Sequence, residues 1–169
     1  MLTYLLLLLL AGVVATDTTS GPQMLFSEPL VSCSIGGIIV GDTATGIEIG
    51  MMFQLLWIGY MPLGAVRFTD SNMGAIIALA SLYTAGDLFS LAGSDYQAAV
   101  IPALIVGIAA GLAGSRFRNR VRRFNNSISE TLLGKVGRGE IPSPTPWHML
   151  GIGASFFRGT FMAILFIPV

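Results

Sequence analysis

Charged side chains are scarce in this sequence. Asp, Glu, Lys and Arg make up only 11% of its 169 residues, against roughly 25% in soluble domains. Hydrophobic residues make up 53%, and mean hydropathy is +0.76. So little charge on so apolar a chain excludes a disordered protein and argues against a soluble globule. Nine bases balance nine acids, so the net basic face that a nucleic-acid partner requires is missing. A lone cysteine, Cys33, excludes an internal disulfide and a Cys-rich metal centre, and a lone histidine, His148, excludes a His cluster. Without a phosphate-binding glycine loop or a nucleophile–base–acid set, no cofactor and no catalytic residue is expected. Permeation, binding or scaffolding remain.

What is present is a series of long apolar runs, and they predict an all-α, polytopic integral membrane protein forming one domain over 1–169. Spans are expected at 1–16, 46–61, 73–92, 97–115 and 147–167. The first run, MLTYLLLLLLAGVVA, reads either as a retained short span or as a signal peptide cut after Val13-Val14-Ala15. The absence of Lys or Arg near Met1 favours the former. Residues 24–41 are too short to cross, and Pro29 interrupts them, so a re-entrant or broken helix is expected there.

Charge along the chain is strongly segregated. Residues 1–115 hold one base, Arg67, against Asp17, Glu28, Asp42, Glu48, Asp70, Asp87 and Asp95. Residues 116–123 then read RFRNRVRR. The positive-inside rule makes 116–146 a cytoplasmic loop, places Asp87 and Asp95 outside, and sends the last span outward. Within that loop, 121–136 has the pattern of an interfacial amphipathic helix, with Val121, Phe124, Ile128, Leu132 and Leu133 on one side. Trp147 and His148 sit where aromatic belts form.

Gly46, Gly50, Gln54 and Trp57 share one face of the helix predicted over 46–61. Two readings of that face stand: close packing through small residues, or a cavity wall in which Gln54 offers a donor and an acceptor together. Glu48 projects about 120° away from it. Gly107 and Gly111 are spaced for helix packing. Asp70-Ser71-Asn72 can cap the next helix. Ionisable residues within a membrane are costly and are site candidates by default. Asp70 therefore reads either as a substrate ligand or as the partner of nearby Arg67.

The stretch 28–70, EPLVSCSIGGIIVGDTATGIEIGMMFQLLWIGYMPLGAVRFTD, resembles the enzyme IIC component of mannose/fructose/sorbose-type phosphotransferase systems. The resemblance is carried by Glu28-Pro29-Leu30, the glycine-rich Gly37 to Asp42, Gly46 to Gly50, Gln54, Leu56-Trp57-Ile58-Gly59, Gly64-Ala65 and Thr69-Asp70. It implies a bacterial inner-membrane sugar permease subunit. Such a subunit works with a IID membrane partner, and a IIB or IIAB cytoplasmic subunit phosphorylates the emerging sugar. It also implies that the phosphorylated histidines lie on IIA and IIB, so that this chain is not an enzyme on its own. A homo-oligomer is compatible with it. Gln54, Asp70 and Asn72 would meet sugar hydroxyls, and Trp57 would offer an apolar face. Family members commonly continue beyond the equivalent of Val169, and Arg67-Phe68-Thr69 replaces smaller residues. These departures motivate the alternative of a non-transporting assembly partner or a degenerate paralogue.

Overall fold

The structure, a computed structural model, describes residues 1–18, 20–59 and 69–167. Among these the regular elements are all helices: α1 (Leu2–Asp17), α2 (Pro29–Val40), α3 (Thr43–Leu56), α4 (Ser71–Phe89), α5 (Ser94–Gly137) and α6 (Thr145–Phe166). α4, α5 and α6 are long and apolar enough to cross a membrane. The expected all-helical, polytopic membrane protein is what the chain forms.

α4 is the hub. Met73 and the run from Ala75 to Ala80 are almost wholly buried, because α4 is packed by α1, α2, α3, α5 and α6. Its 19 residues rise about 28 Å, close to the ~30 Å hydrocarbon core. At one end Tyr4 Oη donates to Asp87 Oδ2 at 3.1 Å and the Tyr4 and Tyr83 rings lie 5.6 Å apart. At the other end lie Asp17, Asp70, Arg118 and Arg158.

The crossing of α4 and α5 is set by glycine. A Cβ on Gly107 would lie 2.5 Å from the Gly74 carbonyl oxygen, and one on Gly74 would lie 2.6 Å from that of Gly107. Only two hydrogen side chains permit this approach. Gly111 continues the contact against Asp70, as its spacing from Gly107 predicts. α1 and α6 meet in the same manner, Gly159 against the Ala11 carbonyl and Phe156 over Gly12.

Several boundaries depart from the sequence expectation. Within 24–41, Pro29 starts a helix instead of breaking one. It occupies the first turn of α2, where its missing N–H costs nothing. Gly41 ends α2 with φ +83°, a left-handed conformation that glycine adopts freely. Asp42 then caps α3, its Oδ1 accepting the Thr45 N–H at 3.1 Å. The expected re-entrant segment is thus the first half of a helical hairpin with α3. The spans expected at 1–16 and 46–61 form helices of 16 and 14 residues, about 24 and 21 Å long and short of a full crossing.

The largest departure is at residue 116. The helix does not stop at the basic run: α5 continues for 44 residues in all, about 66 Å. Arginine is a good helix former, so charge decides which solvent the helix meets, not whether it forms. The outer half of α5 packs along α6. Lys135 lies over the Trp147 ring at 5.4 Å, Asn125 faces Gly151, and the Phe117 and Phe161 rings are 5.7 Å apart. The helix expected at 121–136 is the far part of this arm, and the loop shrinks to the residues between Gly137 and Thr145.

Candidate functional site

The polar residues of interest fall into two groups. The first joins the start of α2 to the end of α3. Gln54 Nε2 donates to Glu28 Oε2 at 2.9 Å, and Gln54 Oε1 accepts the Leu30 N–H at 3.4 Å. The amide therefore ties the hairpin at its open end, with Glu28 at the α2 N-cap. Gly46 and Gly50, on the same face, are filled by α2 backbone. A Cβ at Gly46 would lie 2.5 Å from the Cys33 carbonyl oxygen, and one at Gly50 would lie 2.9 Å from Leu30 Cα. For these two glycines the packing reading holds and the cavity-wall reading fails. Trp57 caps α3 and rests half-buried on the core. Glu48 is exposed, away from Gln54, as the helical angle requires.

The second group centres on Asp70, which is fully buried. Its Oδ1 accepts from Arg118 Nη2 on α5, and its Oδ2 accepts from Arg158 Nη1 on α6. Its backbone N–H donates to the Gly111 carbonyl at 2.9 Å. Arg158 also reaches the Ala15 carbonyl of α1 at 3.5 Å. One carboxylate therefore holds four helices together at one depth. Gly114 makes room for it, since a Cβ there would lie 2.9 Å from Asp70 Cβ. Asp70 occupies the N-cap position of α4, but its side chain makes no capping hydrogen bond: two guanidinium groups outcompete a backbone amide. The pairing expected with Arg67 lies outside the described residues, and the partners seen are Arg118 and Arg158. Asn72 is partly exposed, and its Oδ1 accepts from Ser71 Oγ at 2.8 Å.

Phe53 joins α3 to the α4–α5 crossing. It is buried, and its ring packs against both Gly74 and Gly107. The contacts of Gln54 are with Glu28 and Leu30 on the α2 side, whereas those of Asp70 are with Arg118 and Arg158.

Glu28, Arg118 and Arg158 were not among the expected site residues. A signal existed for Arg158, the one charge in the apolar run 147–167, because a charge in such a run needs a partner. Arg118 carried no such signal, being one arginine among five between 116 and 123. No group of three or more His, Cys, Asp or Glu able to hold a metal occurs among the described residues.

Comparison with known proteins adds four findings. The profile of a family described as the sorbose-specific IIC component of the phosphotransferase system matches residues 1–169. The chain is 41% identical over 51 residues to the sorbose-specific EIIC component of Lacticaseibacillus casei, covering 30% of this chain and 18% of that protein. It is 38% identical over 53 residues to the mannose-specific EIIC component of Escherichia coli K12, covering 31% and 20%. The fold is similar to a chain in the structure of the mannose transporter ManYZ with microcin E492, with TM-score 0.76 and 21% identity, covering 97% of this chain and 61% of that one. This chain thus spans under two thirds of that longer one, and its aligned stretch about one fifth of the curated relatives.

Proposed function

We propose that this chain, which belongs to the sorbose-specific IIC family of phosphotransferase-system components, works as a sugar-permease subunit of a mannose-type phosphotransferase system. The observation that carries the reading is the family match along the whole chain. The absence of a histidine cluster in the sequence fits a division of labour in which this subunit carries the sugar and other subunits transfer phosphate. A IID-type membrane subunit and a IIB or IIAB cytoplasmic subunit are the partners in this reading, and association with further copies is compatible with it. The membrane is the bacterial inner membrane, with the basic half of α5 and the turn after it on the cytoplasmic side.

Gln54, Trp57, Asn72 and Asp70 are the proposed sugar contacts. A neutral sugar is recognised by paired donors and acceptors and by an apolar face. Gln54 and Asn72 supply amides, and Trp57 supplies the face. Asp70 is held by Arg118 and Arg158, so its carboxylate meets a sugar only in a state where that clasp opens. Sugar uptake tests the reading, in cells producing this chain with IIB and IID subunits from a sorbose- or mannose-type system and lacking their own. Gln54→Ala and Asn72→Ala should each lower uptake about tenfold or more at unchanged protein level, the equivalent of losing one good hydrogen bond to the sugar. Undiminished uptake in both variants would remove these residues from the site. Co-purification with IID but no uptake in the unsubstituted chain would instead favour an assembly partner.

A further inference from the structure

A cavity carrying a few polar side chains on largely apolar walls and an apolar crevice lie on the two sides of α6. The cavity, about 350 Å³, lies between α6 and the outer half of α5. Its polar lining is Ser20, Asn125, Ser129 and His148, with Trp147 as a wall, and its floor is Ile128, Leu132 and Ile152. The crevice, about 400 Å³, lies between α6 and α1 and is lined by Val13, Phe26, Met149, Ile152, Gly153 and Phe156, among others. Ile152 borders both. So does the segment between α1 and α2, with Ser20 at the cavity and Pro22 and Phe26 at the crevice.

The polar groups of the cavity are incompletely used. Asn125 lines the cavity, but its Oδ1 is closed off against Gly151 without a hydrogen-bond partner among the described residues; rotation of the amide towards the cavity would offer it to a donor brought by a ligand. Lys135, one turn beyond Leu132 of the lining, holds its ammonium over the ring of Trp147, which forms a cavity wall, at 5.4 Å. The one carboxylate in the crevice lining, Asp17, is satisfied internally, accepting the Met24 N–H at 2.7 Å and the Ser27 N–H at 3.0 Å. A cation and an unfilled acceptor therefore mark one end of the composite site, and an almost wholly apolar slot marks the other.

We infer that this composite site holds a membrane phospholipid with an anionic, hydroxyl-bearing headgroup. The headgroup hydroxyl donates to Asn125, the phosphate lies near Lys135, and an acyl chain lies in the crevice between α1 and α6. A wholly apolar occupant would leave Asn125 unsatisfied, and a soluble phosphate ester would leave the crevice unfilled. The inference stands apart from the sugar reading and does not depend on it.

Native mass spectrometry of the full chain in detergent tests it, titrating phosphatidylglycerol, phosphatidylcholine of the same chains, and soluble glycerol phosphate. Phosphatidylglycerol should bind with at least about fivefold preference over phosphatidylcholine, the scale of one basic residue at a membrane surface. Lys135→Gln should abolish most of that preference. Arg120→Gln, an exposed change on α5 outside the cavity, should leave it intact. Gly153→Leu should weaken both lipids about fivefold, because a Cβ at Gly153 meets open space in the crevice. Val13→Phe fills the same slot from α1 and serves if the first variant loses its helicity. Equal binding of the two lipids, an equal effect of the Lys135 and Arg120 changes, or glycerol phosphate binding as tightly as phosphatidylglycerol would each overturn the assignment.

Discussion

Replacing Asp70 by Asn should destabilise the bundle more than any other single polar change. The substitution keeps the shape and removes the charge. Arg158, only 5% exposed, and Arg118, 18% exposed at its side chain, then face each other without a counter-ion. Breaking a buried ion pair from one side costs about 3–5 kcal/mol, which is roughly 150- to 4000-fold in the unfolding equilibrium. Arg158→Met should cost less, about 1–3 kcal/mol, because Asp70 keeps Arg118 and loses one charged hydrogen bond. The decisive variant is Asp70→Leu combined with Arg118→Leu and Arg158→Met. Removing all three charges removes the desolvation cost along with the attraction, so it should lie within about 2 kcal/mol of the parent. Reversible unfolding in mixed detergent–SDS micelles, followed by helical circular dichroism, reads all three. If Asp70→Asn costs under about 1 kcal/mol, or the triple variant is as unstable as Asp70→Asn, the clasp does not hold these helices as described.

Other consequences are more local. Gly107→Leu should cost at least about 1–3 kcal/mol in the same unfolding assay, since even a Cβ there collides with the Gly74 backbone; a neutral result would mean the α4–α5 crossing is looser than its geometry. Glu28→Gln keeps the hydrogen bond to Gln54, whereas Glu28→Ala leaves the amide unpaired. Uptake should therefore survive the first and fall in the second, and equal loss in both would assign Glu28 a charge-based role instead. In a Cys33→Ala background, Gly139→Cys should react with a membrane-impermeant maleimide in inside-out vesicles and not in intact cells. Labelling of intact cells would invert the topology.

The helices were legible because apolar length is a property of sequence alone. The runs that became α4, α5 and α6 exceed what a short helix could bury, and each appears within a few residues of its expected start. Their partners were not legible. Nothing in the spacing of Asp70 along the chain says that the aspartate meets residues 48 and 88 positions away. That choice depends on Gly111 and Gly114 clearing a path for α5, which is a property of two helices together. The same holds for Gly46 and Gly50. A glycine face is equally compatible with an open wall and a closed packing surface until the opposing backbone of α2 is in place.

The basic run shows that a charge pattern does not say where a helix ends. Five arginines between 116 and 123 predict a polar environment and, with it, the end of a membrane-spanning helix. A helix ends only when its backbone hydrogen bonds are interrupted, and no proline or glycine lies between Ser115 and Leu133 to interrupt them. The break comes only beyond Gly134 and Gly137, where glycine removes the helical preference. Arg118 also shows that a basic run is not one surface. It turns inward to Asp70, while Arg116, Arg120, Arg122 and Arg123 stay exposed. Hence its substitution should behave like a core change, whereas theirs should alter topology and leave the fold intact.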